Sequence, residues 1–503
     1  MCAVALSLLL LLAADAAPTN DRAFWEVRIE LTEEAARALS SEPRRSVNAR
    51  VQFGNGQSLD AQVKLKGHGS FQRLDQKPSF TLQFDPARVS NVPFSSRKIH
   101  LNNSVEDTSY LKEKIGAELF RRAGIAAPRV AHARVHLNNR EVGLYVLKEG
   151  FSEEFMLANF GNTNGTIFDR DSSDQKVNAG QMDVDAGDEA RGRIKLNELW
   201  SAANEFDLNK RFTLLEEVLD VDTFFKFIST EVILCHWDGY ALSENNFRIY
   251  VPANGKIQFL PSGMDQIFAK PDLAWKPRFS GQVARALMET DLTDERYEAM
   301  FRTLLPQILN GNQISNRVAE LVIQLSPHLT RKEHAAIRAG AEDLMANIES
   351  RRGSLLKQLE SPEPVMPSFV AGSAVVALWQ PVAAPEGGKM DETTSELVIH
   401  AGPKTSASWR TKLRLPAGRY RLSSQVKTRD LVPLPFGNRQ GACLRVVGKN
   451  AQSKTVIGTS SDTLQCDFQL SGEETVVLVC EVRAAAGEVR FGKPLKLTQI
   501  VLK

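Results

Sequence analysis

His236-Trp237-Asp238-Gly239-Tyr240, Asn245-Asn246-Phe247-Arg248-Ile249-Tyr250 and Phe259-Leu260-Pro261-Ser262-Gly263-Met264-Asp265-Gln266-Ile267-Phe268 follow one another closely in a chain of 503 residues. Asp238 comes straight after an apolar helical run, Phe224 to Cys235, so it ends an element where a side chain can face a cleft. The paired asparagines open a hairpin whose turn is Asn254-Gly255, a dipeptide suited to tight β-turns. Asp265 lies just past the return strand. The hairpin therefore carries Asp265 back toward Asn246, and an acid and an amide oxygen are expected to share one site.

Phosphoryl transfer needs that inventory: a carboxylate to orient the attacking hydroxyl, and an amide with a carboxylate to hold the Mg²⁺ that bridges the phosphates. Magnesium takes few protein oxygens and keeps its waters, so one Asp with one Asn suffices. The order Asp, Asn, hairpin, Asp is that of the protein-kinase catalytic loop and metal-binding aspartate. Asp238 is thus the candidate catalytic residue, and Asp265, Asn246 and Asn245 are the candidate metal ligands. His236 stands where those kinases carry a histidine, and its expected part is to orient the loop. Taken alone, Asp238 reads as a helix terminator; the ordered set gives it chemistry.

Upstream, Phe24–Leu31, Val47–Phe53, Leu59–Lys66 and Ser79–Phe84 alternate apolar and polar or run apolar, which predicts a small antiparallel lobe. Thr32 is positioned to cap a helix with Glu33 and Glu34 in its first turn. Gly67-His68-Gly69-Ser70 follows a strand, and its glycines allow backbone N–H groups to approach a phosphate closely; by itself such a pair marks an ordinary turn. Asp107 or Thr108 starts a helix with Leu111, Ile115 and Leu119 on one face, and a hairpin follows over about Val130–Leu137 and Val142–Leu147. Glu153 to Arg193 is polar and rich in Asp, including Asp169, Asp171, Asp174, Asp183, Asp185 and Asp188, and is read as a surface excursion suited to a basic substrate. Helical periodicity dominates from Ile194 to about Gln358. Trp200, Trp237 and Trp275 are either core residues or an aromatic wall for adenine.

These motifs resemble the spore-coat CotH kinases, an atypical secretory kinase family. The resemblance runs from about Phe24 to Phe268 and includes Gly67-His68-Gly69-Ser70, Lys77-Pro78-Ser79-Phe80, Asn102-Asn103 before Asp107-x-Ser109, Gly143-Leu144-Tyr145-Val146-Leu147-x-Glu149, and the Asp238/Asn246/Asp265 set. It implies a bilobal protein-kinase-like α+β domain with a β-rich N-lobe and a helical C-lobe. It also implies dependence on ATP and Mg²⁺ or Mn²⁺, with Asp238 as the base-like residue and Asp265 as a metal ligand. Many members carry Trp-Asp-x-Asp where this chain has Ser262-Gly263-Met264-Asp265, one acid fewer. The cation that anchors ATP is open among Lys64, Lys66 and Lys77; Lys77 is favoured, with Glu149 as its ion-pair partner.

The rest of the chain bounds the reading. Basic and acidic residues number 62 and 60, so no overall field favours nucleic acid, and an anionic ligand must be held locally. The apolar run Leu6 to Ala14, followed by small residues, reads as a secretory signal over residues 1–17, and no later stretch reaches the ~20 apolar residues of a membrane helix. A secreted, periplasmic or cell-surface location is expected. The kinase-like domain is expected over residues 24–360, and closely spaced prolines mark a linker over 361–367. Residues 368–503 read as a β-sandwich or jelly roll, a module suited to a glycan or envelope component. Cys443, Cys466 and Cys480 allow one disulfide or three buried thiols. The expected reaction is phosphoryl transfer to hydroxyls of an exported protein substrate. Adenylylation or amino-acid ligation on the same scaffold, and a non-catalytic surface-binding role, stand as alternatives.

Overall fold

The computed structural model describes residues 22–170, 182–290, 293–360, 366–382, 388–434, 440–447, 449 and 451–500. The expected signal segment, most of the linker, and Asp171 and Asp174 lie outside them.

The first part is a closed barrel of β1 (Phe24–Glu30), β2 (Val47–Phe53), β3 (Ser58–Lys66), β4 (Ser79–Phe84), β5 (Lys98–Asn102), β6 (Val130–Leu137) and β7 (Arg140–Glu149), in the order β1-β2-β3-β4-β5-β7-β6. Alternating side chains fill it, with Val27, Ile29, Val51, Val63, Leu65 and Leu82 pointing inward. The expected small antiparallel lobe is corrected in one respect: β6 runs parallel to β1 and closes the sheet. The strand that completes it, Lys-Ile-His-Leu-Asn, is too short and too polar to stand out in the sequence. Thr32 caps α1 (Glu33–Ser41), accepting from Ala35 N, with Glu33 and Glu34 in the first turn as read.

Between β5 and β6 runs α2 (Lys112–Arg122). Its start is fixed by Asp107, whose carboxylate accepts from Ser109 N at 3.0 Å and Lys112 N at 2.9 Å. Leu111, Ile115 and Leu119 are buried, and Gly124, at φ 79°, ends the helix. After β7 come α3 (Glu153–Phe160), β8 (Thr166–Arg170) and β9 (Met182–Ala186). The surface-excursion reading fails for Asp169 and Asp185, whereas Asp183 and Asp188 are exposed. Arg248 Nη2 and Nε donate at 2.6 Å to Asp169 and Asp185, and Lys98 also bonds Asp185. These two acids are held by partly buried cations and are not displayed to a substrate.

The helical part comprises α4 (Glu189–Ala203), α5 (Leu208–Val218), α6 (Val221–Ile233), the short α7 (Tyr240–Ser243), α8 (Gln282–Met288), α9 (Asp294–Ile308), α10 (Gln313–Leu325) and α11 (Arg331–Leu359). Into it is set the expected hairpin, β10 (Phe247–Val251) and β11 (Gln258–Pro261), in a four-stranded sheet ordered β11-β10-β8-β9. One core runs through these elements, including Phe224, Phe227, Phe259, Tyr297 and Leu344. Trp200 belongs to it and Trp275 packs against it, stacked on Tyr297 at 6.0 Å, so neither is an adenine wall.

Beyond residue 366 the chain is sheet-rich, with long strands Thr405–Leu415, Gly418–Pro433, Gly458–Leu470 and Glu474–Gly492 around a second core. Trp379 and Trp409 lie inside that core, their indole N–H groups donating to Val376 O and Val398 O, so neither offers a ring to a sugar. Cys443, Cys466 and Cys480 are buried free thiols; no disulfide forms among the described residues. Arg410 and Lys412 reach α9, at 2.8 Å from Asp294 and 3.0 Å from Glu298. No described helix is long and apolar enough to cross a membrane.

Candidate functional site

α6 ends at Ile233, and the chain turns through Cys235, at φ 51°, into the segment carrying Asp238. His236 is fully buried, and its Nε2 donates to Ser262 O at 3.0 Å, which ties this segment to the end of β11. Burial holds its imidazole below the usual histidine range, so it is a neutral strut. Asp238 is partly exposed. Its Oδ2 accepts from Asn246 Nδ2 at 2.8 Å and its Oδ1 from Asn245 Nδ2 at 3.1 Å. Both amides thus aim their nitrogens at Asp238. This leaves Asn245 orienting the acid, whereas Asn246 keeps its Oδ1 on the opposite side.

That oxygen lies over Gly263. Gly263 has φ 58°, and a Cβ built there would stand 2.5 Å from Asn246 Oδ1. The missing second acid therefore has a local reason: the space its side chain would fill belongs to the amide that faces Asp238. Gly263→Ala is expected to lower thermal stability by about 1–2 kcal/mol from the left-handed backbone alone, with the clash adding to it. Thermal unfolding measures this, and an unchanged melting temperature would refute the contact.

Met264 N, next along the chain, donates to Glu113 Oε2 at 2.8 Å. Glu113 projects from the first turn of α2 and receives Lys148 Nζ of β7 on its other oxygen, at 2.8 Å. Both side chains are buried. Burial pushes the Glu113 carboxyl up, but the charge and hydrogen bond of Lys148 outweigh it and hold the carboxyl below its ordinary value. α2 sits close enough for this because Gly116 abuts Met264, whose Cβ would lie 3.0 Å from an added methyl. Asp265 follows. Its carboxyl is raised to about 6, first by burial and then by the charge of Glu113.

The favoured cation pair does not form. Lys77 Nζ donates to Tyr110 Oη at 2.5 Å and lies over the rings of Tyr110 and Tyr145. Glu149 accepts from Arg129 Nε and Nη2 at 3.1 and 2.8 Å. Strand alternation puts Tyr145, Leu147 and Glu149 on one face of β7 and Lys148 on the other, so the β7 cation that meets a carboxylate is Lys148, on Glu113. Lys64 is exposed. Lys66, at the end of β3, points to the face opposite Leu65, and its Nζ donates to Asn102 Oδ1 at 2.9 Å. Burial lowers its amine to about 7, with the charge of Lys148 adding to the effect and Glu113 and Asp265 opposing it.

The glycine loop lies beside the same segment. Gly67 has φ 101°. Arg44 bonds Gly67 O, and Asn103 Nδ2 donates to Ser70 O at 3.0 Å. A Cβ on Gly69 would be 3.5 Å from Glu106 Oε1, and Glu106 bonds Gln266, the neighbour of Asp265. Asp238, Asn246, Asp265, Lys66 and the Gly67–Ser70 loop are thus brought together, joined by Lys148 and Glu113, which sequence reasoning missed. A signal for Glu113 existed: with Gly116 and Phe120 it makes a second buried stripe on α2.

Residues 65–340, more than half the chain, match the family model described as CotH kinase protein. The chain belongs to the CotH kinase protein family. Among curated relatives, the chain is 23% identical over 249 residues to invasin CotH7 of Rhizopus delemar, covering 44% of this chain and 42% of the invasin. It is 23% identical over 229 residues to inner spore coat protein H of Bacillus subtilis, covering 43% of this chain and 61% of that protein. The matched stretch thus spans less than two thirds of either relative. Among solved structures, the proinflammatory kinase CtkA of Helicobacter pylori aligns with 58% of this chain and 95% of its own, at 7% identity and a TM-score of 0.26.

Among the described residues no group of three or more His, Cys, Asp or Glu side chains is arranged for a metal. The donor set nevertheless fits a hard divalent cation that keeps most of its waters. Asn246 Oδ1 faces Gly263, and the partly buried Asp265 carboxyl is held high by desolvation and by the charge of Glu113.

Proposed function

We propose that this member of the CotH kinase protein family transfers the γ-phosphoryl group of ATP to a hydroxyl of an exported or surface protein. In this reading the barrel and the helical part are the two lobes of a protein-kinase-like fold, with the nucleotide between them. The observation that carries it is the buried Glu113, which joins Lys148 of the barrel to Met264 beside Asp265. A buried ion pair tying a barrel lysine to a helix, next to a metal-binding aspartate, is the part of a kinase that aligns the phosphates.

Lys148 and Lys66 would neutralise phosphate oxygens, and the backbone of Gly67, Gly69 and Ser70 would cover them. Lys77 and Glu149 support the fold around this site. Asp265 and Asn246 Oδ1 would hold Mg²⁺ or Mn²⁺, which supplies charge neutralisation at the β- and γ-phosphates when bound. Asp238, fixed by two amide donors, would accept a hydrogen bond from the substrate hydroxyl. As the hydroxyl oxygen forms its bond to the γ-phosphorus, the bond from that phosphorus to the β,γ-bridging oxygen breaks, ADP leaves, and the hydroxyl proton passes to Asp238. Catalysis here is positioning and electrostatics.

The test is intact-mass analysis of a hydroxyl-rich acceptor protein incubated with the enzyme, ATP and Mg²⁺. An increment of one phosphoryl group is expected; a nucleotide or amino-acid adduct would overturn the reading.

Lys66 adds a pH signature. With its amine near 7 in the free protein, bound phosphates should draw a proton onto it. Affinity for ATP is expected to fall as pH rises from about 7 to 9, by up to tenfold per pH unit. Calorimetry in two buffers of different ionisation heat should register proton uptake at pH 8. In Lys66→Met the uptake should vanish, and if it persists Lys66 is not the group.

A further inference from the structure

Two stretches hold the proposed acids: the end of α6, which leads into Asp238, and the strap after Asp265, running to α8. They are stitched together from outside. Phe268 N donates to Leu234 O at 2.8 Å, and Cys235 Sγ donates to Lys270 O at 3.0 Å. Between them sits Arg351, carried by α11 and fully buried. Its Nη2 and Nε donate to Val232 O at 2.8 Å and Ile233 O at 3.3 Å, the last carbonyls of α6. Its Nη1 donates to Pro271 O at 2.8 Å and also bonds Leu273 O. Two turns further along α11, Gln358 accepts from Trp275 N at 2.8 Å and donates to Leu273 O.

Burying a guanidinium costs several kcal/mol unless its donors are satisfied, and here all four acceptors are backbone carbonyls. An apolar side chain would fill the volume without desolvating a charge. It would not do what a planar fork does, which is to hold carbonyls of two separate segments in one fixed relation. The α6 carbonyls are also the negative end of that helix, where a cation is favoured.

We infer that Arg351 is a positioning residue for the proposed transfer: from the part of α11 that extends beyond the matched stretch 65–340, it sets the separation between the segment of Asp238 and the segment of Asp265. This rests on the phosphoryl-transfer reading. A lysine has a point charge in place of the fork and can serve only one side of the clamp.

The test compares full-length wild type with Arg351→Lys by thermal unfolding, hydrogen exchange of peptides spanning 230–240 and 266–276, and steady-state kinetics with ATP at varied Mg²⁺. The expected result for a folded R351K is faster exchange in both peptides and a kcat lower by on the order of a hundredfold. The KM for ATP should stay within about threefold and half-saturation by Mg²⁺ should rise, because transition-state geometry is lost and nucleotide binding is not. Wild-type kcat with wild-type Mg²⁺ dependence would overturn the inference, as would unchanged exchange in both peptides. Should R351K not fold, Gln358→Leu loosens the strap from the same helix without touching α6. A smaller kcat loss with raised Mg²⁺ demand is then expected, and wild-type values would overturn the role given to α11. If wild type itself transfers no phosphoryl group, the phosphoryl-transfer reading falls, while the exchange comparison still decides whether Arg351 holds the two segments.

Discussion

Replacing Asp265 with Asn should reduce phosphoryl transfer by roughly a thousandfold or more while leaving the fold intact. The carboxyl is partly buried and lies within the fields of Glu113 and Lys148, and in the proposed reading it is the acid that meets the divalent ion at the phosphates. Asn keeps the shape and removes the charge. Stability should not fall. Asp265 has its folded value raised to about 6, above its unfolded one, so between about 4 and 6 the folded protein binds more protons than the unfolded chain. Its contribution is greatest in acid and is lost as pH rises through 6. At pH 7 the partly buried charge is a cost, and D265N should melt at or slightly above the wild-type temperature in the absence of metal. Turnover and thermal unfolding with and without Mg²⁺ measure both effects. Mg²⁺ should raise the wild-type melting temperature and leave that of D265N unmoved; normal turnover in D265N would remove Asp265 from the chemistry.

The stretch from His236 to Phe268 was legible because its signals are local. An apolar helix ends, two asparagines open a hairpin, Asn254-Gly255 turns it, and the chain returns; short-range rules fix each step. The Thr32 cap was legible for the same reason, whereas α2 begins only at Lys112, past the start read at Asp107 or Thr108, because the Asp107 carboxylate holds residues 107–111 in a turn. What was not legible is long-range pairing. Lys148 and Lys77 look alike in sequence, and only the face of β7 and the approach of α2 decide which meets a carboxylate. Asp169 and Asp185 look solvated until Arg248 and Lys98, from two other strands, are brought onto them. The barrel closure escaped because β1 and β6 pair in parallel across more than a hundred residues, and nothing in either strand names its partner. Gly263 was read as an acid lost; the contact with Asn246 makes it a residue whose side chain has no room.

Lys148→Met is expected to cost about 3–5 kcal/mol of stability, because it leaves Glu113 as a buried charge without its cation, and to depress transfer by about a hundredfold or more through the loss of phosphate alignment. The two effects can be separated. In wild type the folded Glu113 carboxyl lies below its ordinary value, so the pair stabilises above the unfolded carboxylate range and its contribution is lost as pH falls through the depressed folded value. In K148M the sign reverses: burial alone raises the carboxyl, and the deficit relative to wild type should shrink as pH falls from 7 toward 5. Adding Glu113→Gln removes the stranded charge, and the double variant K148M/E113Q should regain much of the lost stability at pH 7, since a neutral pair of similar size replaces a broken ionic one. It should not regain activity, because no cation from β7 then faces the phosphates. Chemical unfolding across pH and single-turnover transfer with ATP measure the two halves independently. A double variant that turns over normally would move the phosphate anchor from Lys148 to Lys66. A single variant whose stability deficit is the same at every pH would mean that Glu113 is not left charged in the interior, and that its bond to Met264 N does not depend on Lys148.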